Sequence, residues 1–247
     1  MRAWERQLAG LVAFLALWQA ASLLGLLNPL YIPAPSAITA ALIQLFGEGT
    51  IWTHLEATFA AALGGLVIGL LAGTALGVAA AMMPVVAELL EPVMVLLNAV
   101  PRVVLAPLFV IWLGIGLASK VALAFILVAV VIFFTVFTGI RQVDRRLVER
   151  ILTLGGGRAA LLREVYLPSV LAWILGNLKV AVGFAFTGAV VGEFVAATRG
   201  LGYLLSFAQS TFNAALMMAL VTVIMVVVLL IFAFAGWLER RLLRWRG

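Results

Sequence analysis

The sequence has 247 residues, of which 66% are hydrophobic and 11% are charged, and it carries a net charge of +6 and no cysteine. A soluble domain is close to half apolar, so this composition excludes a single water-soluble core and indicates a polytopic membrane protein. The basic residues lie in short segments between apolar runs, which favours a membrane protein over a nucleic-acid-binding protein. The lack of cysteine excludes a disulfide framework.

Six apolar runs predict an all-α protein with six transmembrane helices. The predicted spans cover about residues 8–27, 57–83, 93–115, 120–139, 169–192 and 214–238. The first run follows Arg2 and Arg6, as in a signal peptide, but it is long enough to cross a bilayer, so we expect it to be retained. We expect Pro101 and Pro107 to interrupt the third span.

The basic residues predict which way the spans run. With six spans, both termini lie on the same side as residues 141–168, and this side holds twelve of the sixteen Lys and Arg residues. The opposite side holds only Lys120 and Arg199. The positive-inside rule therefore places both termini and residues 141–168 in the cytoplasm.

Two of the spans carry glycines at a spacing of four residues, which places them on one helix face. These glycines are Gly65, Gly69, Gly73 and Gly77 in the second span and Gly188 and Gly192 in the fifth. Such faces allow helix backbones to approach closely in lipid. We predict that these faces are packing surfaces. The alternative is that they form a sliding interface within the bundle.

One polar segment, residues 149–168, interrupts the apolar sequence between the fourth and fifth spans. Its pattern predicts a helix that ends at Thr153 and Leu154, a glycine break at 155–157, and a short amphipathic helix that ends at Leu167 and Pro168. A structured and charged segment between two spans predicts a docking surface for a partner.

No catalytic or metal-binding constellation is evident. The single histidine, His54, is predicted to lie in a solvated loop on the outer side. The segment 155–158 lacks the lysine and the hydroxyl residue of a phosphate-binding loop. We therefore expect no cofactor or metal in this chain and expect any ATP to be bound by another subunit.

Several polar side chains are candidates for a solute path or an outer gate. Arg102 and Lys179 lie within apolar runs, where a charge faces an aqueous cavity or snorkels to an interface. Asn98 and Asn177 are weaker path candidates. Glu193 is either a loop carboxylate paired with Arg199 or, with Arg199, part of an outer gate or a contact for an external partner.

The polar segment resembles the cytoplasmic motif of bacterial ABC importer permeases. That motif has Glu-Ala-Ala, three residues, Gly, nine residues, Ile, one residue and Leu-Pro. At the matching positions this chain has Glu149, Gly155, Val165, Leu167 and Pro168. It departs from the motif at Arg150 and Ile151, which replace the alanines, and at Val165, which replaces isoleucine.

Further stretches resemble the nitrate, sulfonate and taurine branch of this family. They are residues 31–36, 98–107, 111–116, 176–183, 200–203 and 238–245. The resemblance implies a single transmembrane domain over residues 1–247 with the type I importer permease fold, in the bacterial inner membrane. It also implies a homodimer, two cytoplasmic ATPase subunits that bind ATP and Mg, and an external solute-binding protein, with no role for nucleic acid.

In this family the polar segment is a coupling helix seated in a groove of the ATPase. The motif positions Glu149, Gly155, Val165, Leu167 and Pro168 are expected to make this contact. Charge and helix-face spacing add Arg158, Leu161 and Leu162 to it. We expect Leu161, Leu162 and Val165 to form its buried anchor. The solute is expected to be a small anion such as nitrate, a sulfonate or taurine.

Two other classes of function fit the sequence less well than an importer permease. A secondary transporter or channel has broken helices, but it usually also has intramembrane ionisable groups, and no predicted span of this chain contains a carboxylate. An intramembrane enzyme lacks any candidate nucleophile, base or metal ligands in this sequence.

Overall fold

A computed structural model describes residues 3–242, except for the side chains of Ala3, Arg102, Arg158 and Leu242. Every regular element within these residues is a helix. In chain order they are α1 Ala3–Leu23, α2 Pro35–Gly47, α3 Ile51–Met82, α4 Pro84–Ala99, α5 Arg102–Leu113, α6 Leu117–Arg141, α7 Arg145–Thr153, α8 Arg158–Leu161, α9 Leu167–Gly176, α10 Leu178–Val195, α11 Leu201–Ser210 and α12 Ala214–Leu242. A π turn over Leu162–Tyr166 joins α8 to α9.

Five of the described helical stretches are long and apolar enough to cross a membrane, and a bent pair raises this number to six if it counts as one span. They are α3, α6, the stretch Ala159–Gly176, α10 and α12, with α4 and α5 as the bent pair. The helix α1, which covers residues 8–23 of the first predicted span, is not among them, and the predicted end at residue 27 lies beyond this helix. Its first turns carry Glu5 and Arg6, which make that end polar.

The third predicted span is a bent pair of helices. The helices α4 and α5 meet at an angle of 108°. Pro101, which lies at the bend, lacks a backbone N–H and favours the extended conformation found at Val100. The expected interruption at Pro107 is wrong, because this proline lies inside α5.

The centre of the bundle is the pair α3 and α6. Each of the four spaced glycines of α3 faces a residue of α6, and the partner advances by four residues with each glycine. The facing pairs are Gly65 with Ala124, Gly69 with Val128, Gly73 with Ile132 and Gly77 with Val136. The two helices therefore run parallel, and the bent pair between them returns the chain to the side on which α3 begins.

The fifth predicted span, 169–192, consists of α9 and α10, which are separated at Asn177. Both helices pack antiparallel on α6: Gly192 and Gly188 of α10 face Lys120 and Ala124, and Trp173 of α9 faces Gly139. The separation in sequence between Gly192 and Trp173 equals the separation between their partners on α6, Lys120 and Gly139. The interruption at Asn177 therefore leaves the packing register unchanged.

These directions define two ends of the bundle. Residues Ile51, Leu117, Val195 and Ala214, where α3, α6, α10 and α12 begin or end, lie at one end, which we call the Glu193 end. The opposite end, which we call the α7 end, holds the C-termini of α3, α6 and α12 together with the polar segment. Along α9 and α10, Gly192 and Trp173 are separated by roughly 29 Å.

Candidate functional sites

A short amphipathic helix, α7, precedes and overlaps the start of the polar segment. Asp144 caps its N-terminus, since the Asp144 side chain accepts a hydrogen bond of 2.9 Å from the backbone N–H of Arg146. Val148 and Ile151 are half-buried, whereas Leu147 and Leu154 are 49% and 76% exposed. The helix therefore presents a partly apolar surface outward between its charged side chains.

A glycine motif ends α7. The N–H of Gly156 bonds to the carbonyl of Ile151 at 2.9 Å, and the N–H of Gly155 bonds to that of Leu152 at 3.0 Å. Gly155 has a φ of +80°, in the left-handed region that favours glycine. The predicted helix end at Thr153 and the predicted glycine break are confirmed.

The predicted helix end at Leu167 and Pro168 is wrong. The chain stays helical from Arg158 to Gly176 through the π turn, and the N–H of Leu167 bonds to the carbonyl of Leu162 five residues earlier. Proline has no N–H to donate at position 168, and a π turn is a common way to fit such a gap into a continuous helix. Pro168 therefore lies in the first turn of α9 rather than ending the helix before it.

The residues predicted for ATPase coupling divide between the surface and the interior. Glu149, Gly155, Leu162 and Leu167 are exposed, whereas Leu161 and Pro168 are half-buried. Val165 is buried within this chain. The expectation that it joins Leu161 and Leu162 in an anchor for a partner is therefore wrong for Val165. The side chain of Arg158 lies outside the described residues.

A cavity of about 340 Å³ lies beside α7. Its walls include Ile140, Arg145, Val148, Glu149 and Tyr166, from the end of α6, from α7 and from the π turn. It places the carboxylate of Glu149 beside an opening large enough for a side chain from another protein. Sequence reasoning identified Glu149 and the end of α7 but did not place the start of this helix at Arg145, although the apolar spacing of Leu147, Ile151 and Leu154 is helical.

A second polar cluster lies at the Glu193 end of the bundle. Glu193 is 1% exposed in the last turn of α10, and its Oε2 accepts hydrogen bonds from Thr58 Oγ1 at 2.8 Å and from the N–H of Gly202 at 3.0 Å. Thr58 Oγ1 also accepts the N–H of Leu201 at 2.9 Å. The turn that leads into α11 is thus fixed to α3 and α10 through buried hydrogen bonds of the first two residues of that helix.

His54 and Lys120 extend this cluster. The N–H of Gly200 donates to His54 Nδ1 at 3.1 Å, and the His54 ring stacks on Tyr203 with 5.8 Å between centroids. His54 is half-buried in α3, so its predicted place in a solvated loop is wrong. Lys120 is buried and donates to the carbonyl of Arg199 at 3.4 Å.

The interpretation of Glu193 as a loop carboxylate paired with Arg199 is wrong. Glu193 lies in a helix, and the only ion pair found between described residues joins Lys179 to Glu239. The Arg199 side chain is exposed and remains available to an external partner. One oxygen of Glu193, Oε1, is buried without a hydrogen-bond partner among the described residues.

The predicted path residues do not converge on one site in the described part of the chain. Lys179 lies in the first turn of α10, on the side toward the α7 end, with its ammonium 3.0 Å from Glu239 of α12. Asn177 donates to the carbonyl of Trp173 in the break between α9 and α10, and Asn98 is exposed on α4. The side chain of Arg102 lies outside the described residues. Contact of these residues with a solute stays a prediction.

The fold, with a parallel helix pair at its centre, a bent crossing and a polar segment at one end, is that of an ABC importer permease. One chain of an amino acid ABC transporter, solved with histidines, superposes with a TM-score of 0.67 at 18% identity, covering 81% of this chain and 97% of that chain. The chain belongs to the family of binding-protein-dependent transport system inner membrane components, whose model matches residues 65–244.

Two relatives cover nearly the whole chain. The riboflavin transport system permease protein RibX of Chloroflexus aurantiacus is 35% identical over 96% of this chain and 88% of its own length. The taurine transport system permease protein TauC of Escherichia coli is 31% identical over 96% of this chain and 88% of its own length. The predicted family and its taurine branch are thereby confirmed, as is the all-helical membrane fold.

Proposed function

We propose that this permease forms the translocation path for a small solute that an external binding protein delivers, and that it receives its driving motion from a separate cytoplasmic ATPase. The observation that carries the proposal is the polar segment, which presents an exposed amphipathic helix and a cavity at one end of an otherwise apolar bundle. Membership of the binding-protein-dependent family supports the same assignment.

The contact with the ATPase is assigned to α7 together with residues 149–168. The exposed leucines Leu147 and Leu154 provide an apolar contact, and Glu149 lines the adjoining cavity. The glycine motif holds α7 at a fixed angle to the helix that continues into α9 and α10. Because α9 and α10 keep one packing register on α6, displacement of α7 is expected to move the bundle as a rigid body.

The remaining partners follow from the family resemblance. We assign a homodimer of this chain, two ATPase subunits that carry ATP and Mg, and an external solute-binding protein. The chain then lies in the bacterial inner membrane with both termini and the α7 end in the cytoplasm, as its basic residues predict. ATP hydrolysis is placed on the ATPase, so this subunit is a transport component and not an enzyme.

The solute is proposed to be a small anion such as nitrate, a sulfonate or taurine. Support comes from the relative TauC, whose name records taurine transport. The relative RibX, named for riboflavin, marks the main competing solute. Since Lys179 is paired with Glu239, its charge adds less support for an anion than the sequence suggested.

The test is transport by the reconstituted permease with its ATPase and binding protein. We expect Leu147→Ser with Leu154→Ser to lower co-purification of the ATPase and solute-stimulated ATP hydrolysis by about tenfold, since a buried apolar anchor is typically worth 1–2 kcal/mol or more. The control is Leu24→Ser with Leu26→Ser, two leucines of similar or greater exposure that lie outside the polar segment.

Two results would contradict the proposal. Unchanged ATPase binding and stimulation in the Leu147 and Leu154 variant would remove α7 from the contact. Uptake of riboflavin but not of taurine, alkanesulfonates or nitrate by the wild-type system would overturn the assigned solute class and leave the coupling assignment intact.

A further inference from the structure

An apolar groove runs along the surface of the bundle between α3, α10 and α12. It encloses about 450 Å³ and is lined by side chains that include Leu63, Leu66, Val182, Phe186, Phe234 and Leu238. Leu63 and Phe234 are 55% and 63% exposed, so the groove is open along its side. Its walls come from three helices of the membrane-spanning set.

At the end of the groove that lies toward the Glu193 end of the bundle, the lining residues Phe59 and Phe186 meet edge to face, with 6.1 Å between ring centroids. From Leu178, where the lining begins on α10, to Phe186 the groove extends roughly 12 Å. A transmembrane helix needs about 30 Å of apolar length, so the groove is too short to seat one along its axis.

The other end of the groove opens onto a basic patch. Two cations lie close to Gly236. A Cβ at this position would be 3.1 Å from Lys179 Nζ and 3.7 Å from Arg240 Nη1, so the two charged groups are near each other. The Arg241 guanidinium lies 5.2 Å from the centroid of the Trp237 ring. Glu239 is the acidic member of this patch, which leaves it with an excess of positive charge.

We propose that this groove binds an anionic phospholipid, with one acyl chain along α3, α10 and α12 and the phosphate at Lys179, Arg240 and Arg241. Basic pockets between transmembrane helices at a membrane surface recognise anionic headgroups. The apolar lining matches an acyl chain, which is flexible and can bend out of a short groove where a rigid helix cannot. Glu239 holds the Lys179 ammonium at the mouth of the groove, 3.0 Å away.

This assignment requires only that the chain spans a membrane, and it does not depend on the identity of the solute. It competes with the predicted place of Lys179 on the solute path. A lipid contact makes the effect of Lys179→Ala depend on anionic lipid, whereas a path contact lowers transport equally in every lipid. Reconstitution in phosphatidylcholine with and without phosphatidylglycerol separates the two, and an equal loss in both vesicles would overturn the headgroup role of Lys179.

The headgroup is tested by native mass spectrometry of the purified transporter with an equimolar mixture of phosphatidylglycerol and phosphatidylcholine. We expect the wild type to prefer phosphatidylglycerol by roughly tenfold, and Arg240→Gln with Arg241→Gln to abolish the preference. Arg6→Gln with Arg199→Gln removes the same charge elsewhere and should retain it. Equal preference in the wild type and both variants would overturn the proposal.

The acyl chain is tested with a phosphatidylglycerol that carries a photoreactive group in one chain. We expect cross-links to residues 230–238, which Leu63→Trp should abolish by filling the groove. Leu71→Trp is the matched control, because Leu71 is an exposed leucine of α3 that does not line the groove. Cross-links that map elsewhere, or that persist in Leu63→Trp, would contradict the assigned groove.

Discussion

At the scale of single residues, the Glu193 carboxylate organises one end of the bundle. It joins α10 to Thr58 of α3 and to the N–H of Gly202, and Thr58 also holds Leu201. Gly200, which precedes this pair, has a φ of +126°, and a Cβ there would overlap the Glu193 carboxyl. The turn is therefore built around the buried carboxylate, and only glycine fits at position 200.

Thr58→Val is expected to loosen this turn. Valine keeps the shape of threonine but leaves the buried N–H of Leu201 without an acceptor and removes one donor to Glu193. An unsatisfied buried group costs about 1–3 kcal/mol. We expect a lower midpoint of thermal unfolding and faster amide hydrogen exchange at residues 200–204.

Thr53→Val is the control for this prediction. The Thr53 hydroxyl is exposed and donates only to the carbonyl of Thr50 in the preceding turn, so its loss should change stability by less than about 0.5 kcal/mol. If both variants unfold at the same temperature and exchange at the same rate, the carboxylate does not hold the turn.

The sequence contained part of this site. It identified Glu193 and Arg199 as candidates, either as a pair in a loop or as part of an outer gate or a contact for an external partner, and the described residues do not form that pair. The actual partner of Glu193, Thr58, lies 135 residues away, on a helix whose direction relative to α10 no local pattern reveals. His54 was misplaced because the polar residues near it suggested a loop, although α3 already begins at Ile51.

At the scale of elements, glycine spacing was the most informative pattern, and the structure separates glycines that need to be glycine from those that do not. A Cβ on Gly188 would lie 2.6 Å from the backbone Cα of Ala124, which cannot move aside without shifting α6. A Cβ on Gly192 would lie 3.4 Å from Lys120, an ordinary van der Waals contact.

Gly188→Ala should therefore destabilise the protein and Gly192→Ala should not. Forcing a methyl group into the first contact is expected to cost about 1–3 kcal/mol. Both positions lie on α10 and face the same neighbouring helix, α6, so each variant is a control for the other in thermal unfolding of the purified transporter. Equal unfolding temperatures for the two variants would contradict the close approach of α10 to α6.

Proline and glycine signals predicted helix ends unevenly. The glycines after Thr153 ended α7 as expected, because left-handed backbone is easily accessible at Gly155. Pro101 bent the third span, but Pro107 and Pro168 did not end helices. A proline removes only one N–H donor from a helix. A π turn, or the position of the proline along the helix, can accommodate this loss, and the sequence reveals neither.

At the scale of the whole molecule, the helix directions follow from contacts that no single segment contains. Because α3 and α6 run parallel, α4 and α5 together must make one crossing, which returns the chain from the end of α3 to the side on which α3 begins. The antiparallel packing of α9 and α10 on α6 then sets the polar segment and the Glu193 cluster at opposite ends. The sequence predicted the same opposition from charge alone, since the basic residues concentrate at the α7 end.

This arrangement predicts which end of the molecule faces the cell interior. The chain has no cysteine, so single cysteines can be labelled without background. Leu154 and Phe212 are matched positions, 76% and 78% exposed at the α7 end and the Glu193 end. In intact spheroplasts, we expect a membrane-impermeant maleimide to label Phe212→Cys and to label Leu154→Cys only after permeabilisation. Labelling of both before permeabilisation, or the reverse pattern, would contradict a cytoplasmic α7 and with it the proposed contact between α7 and the ATPase.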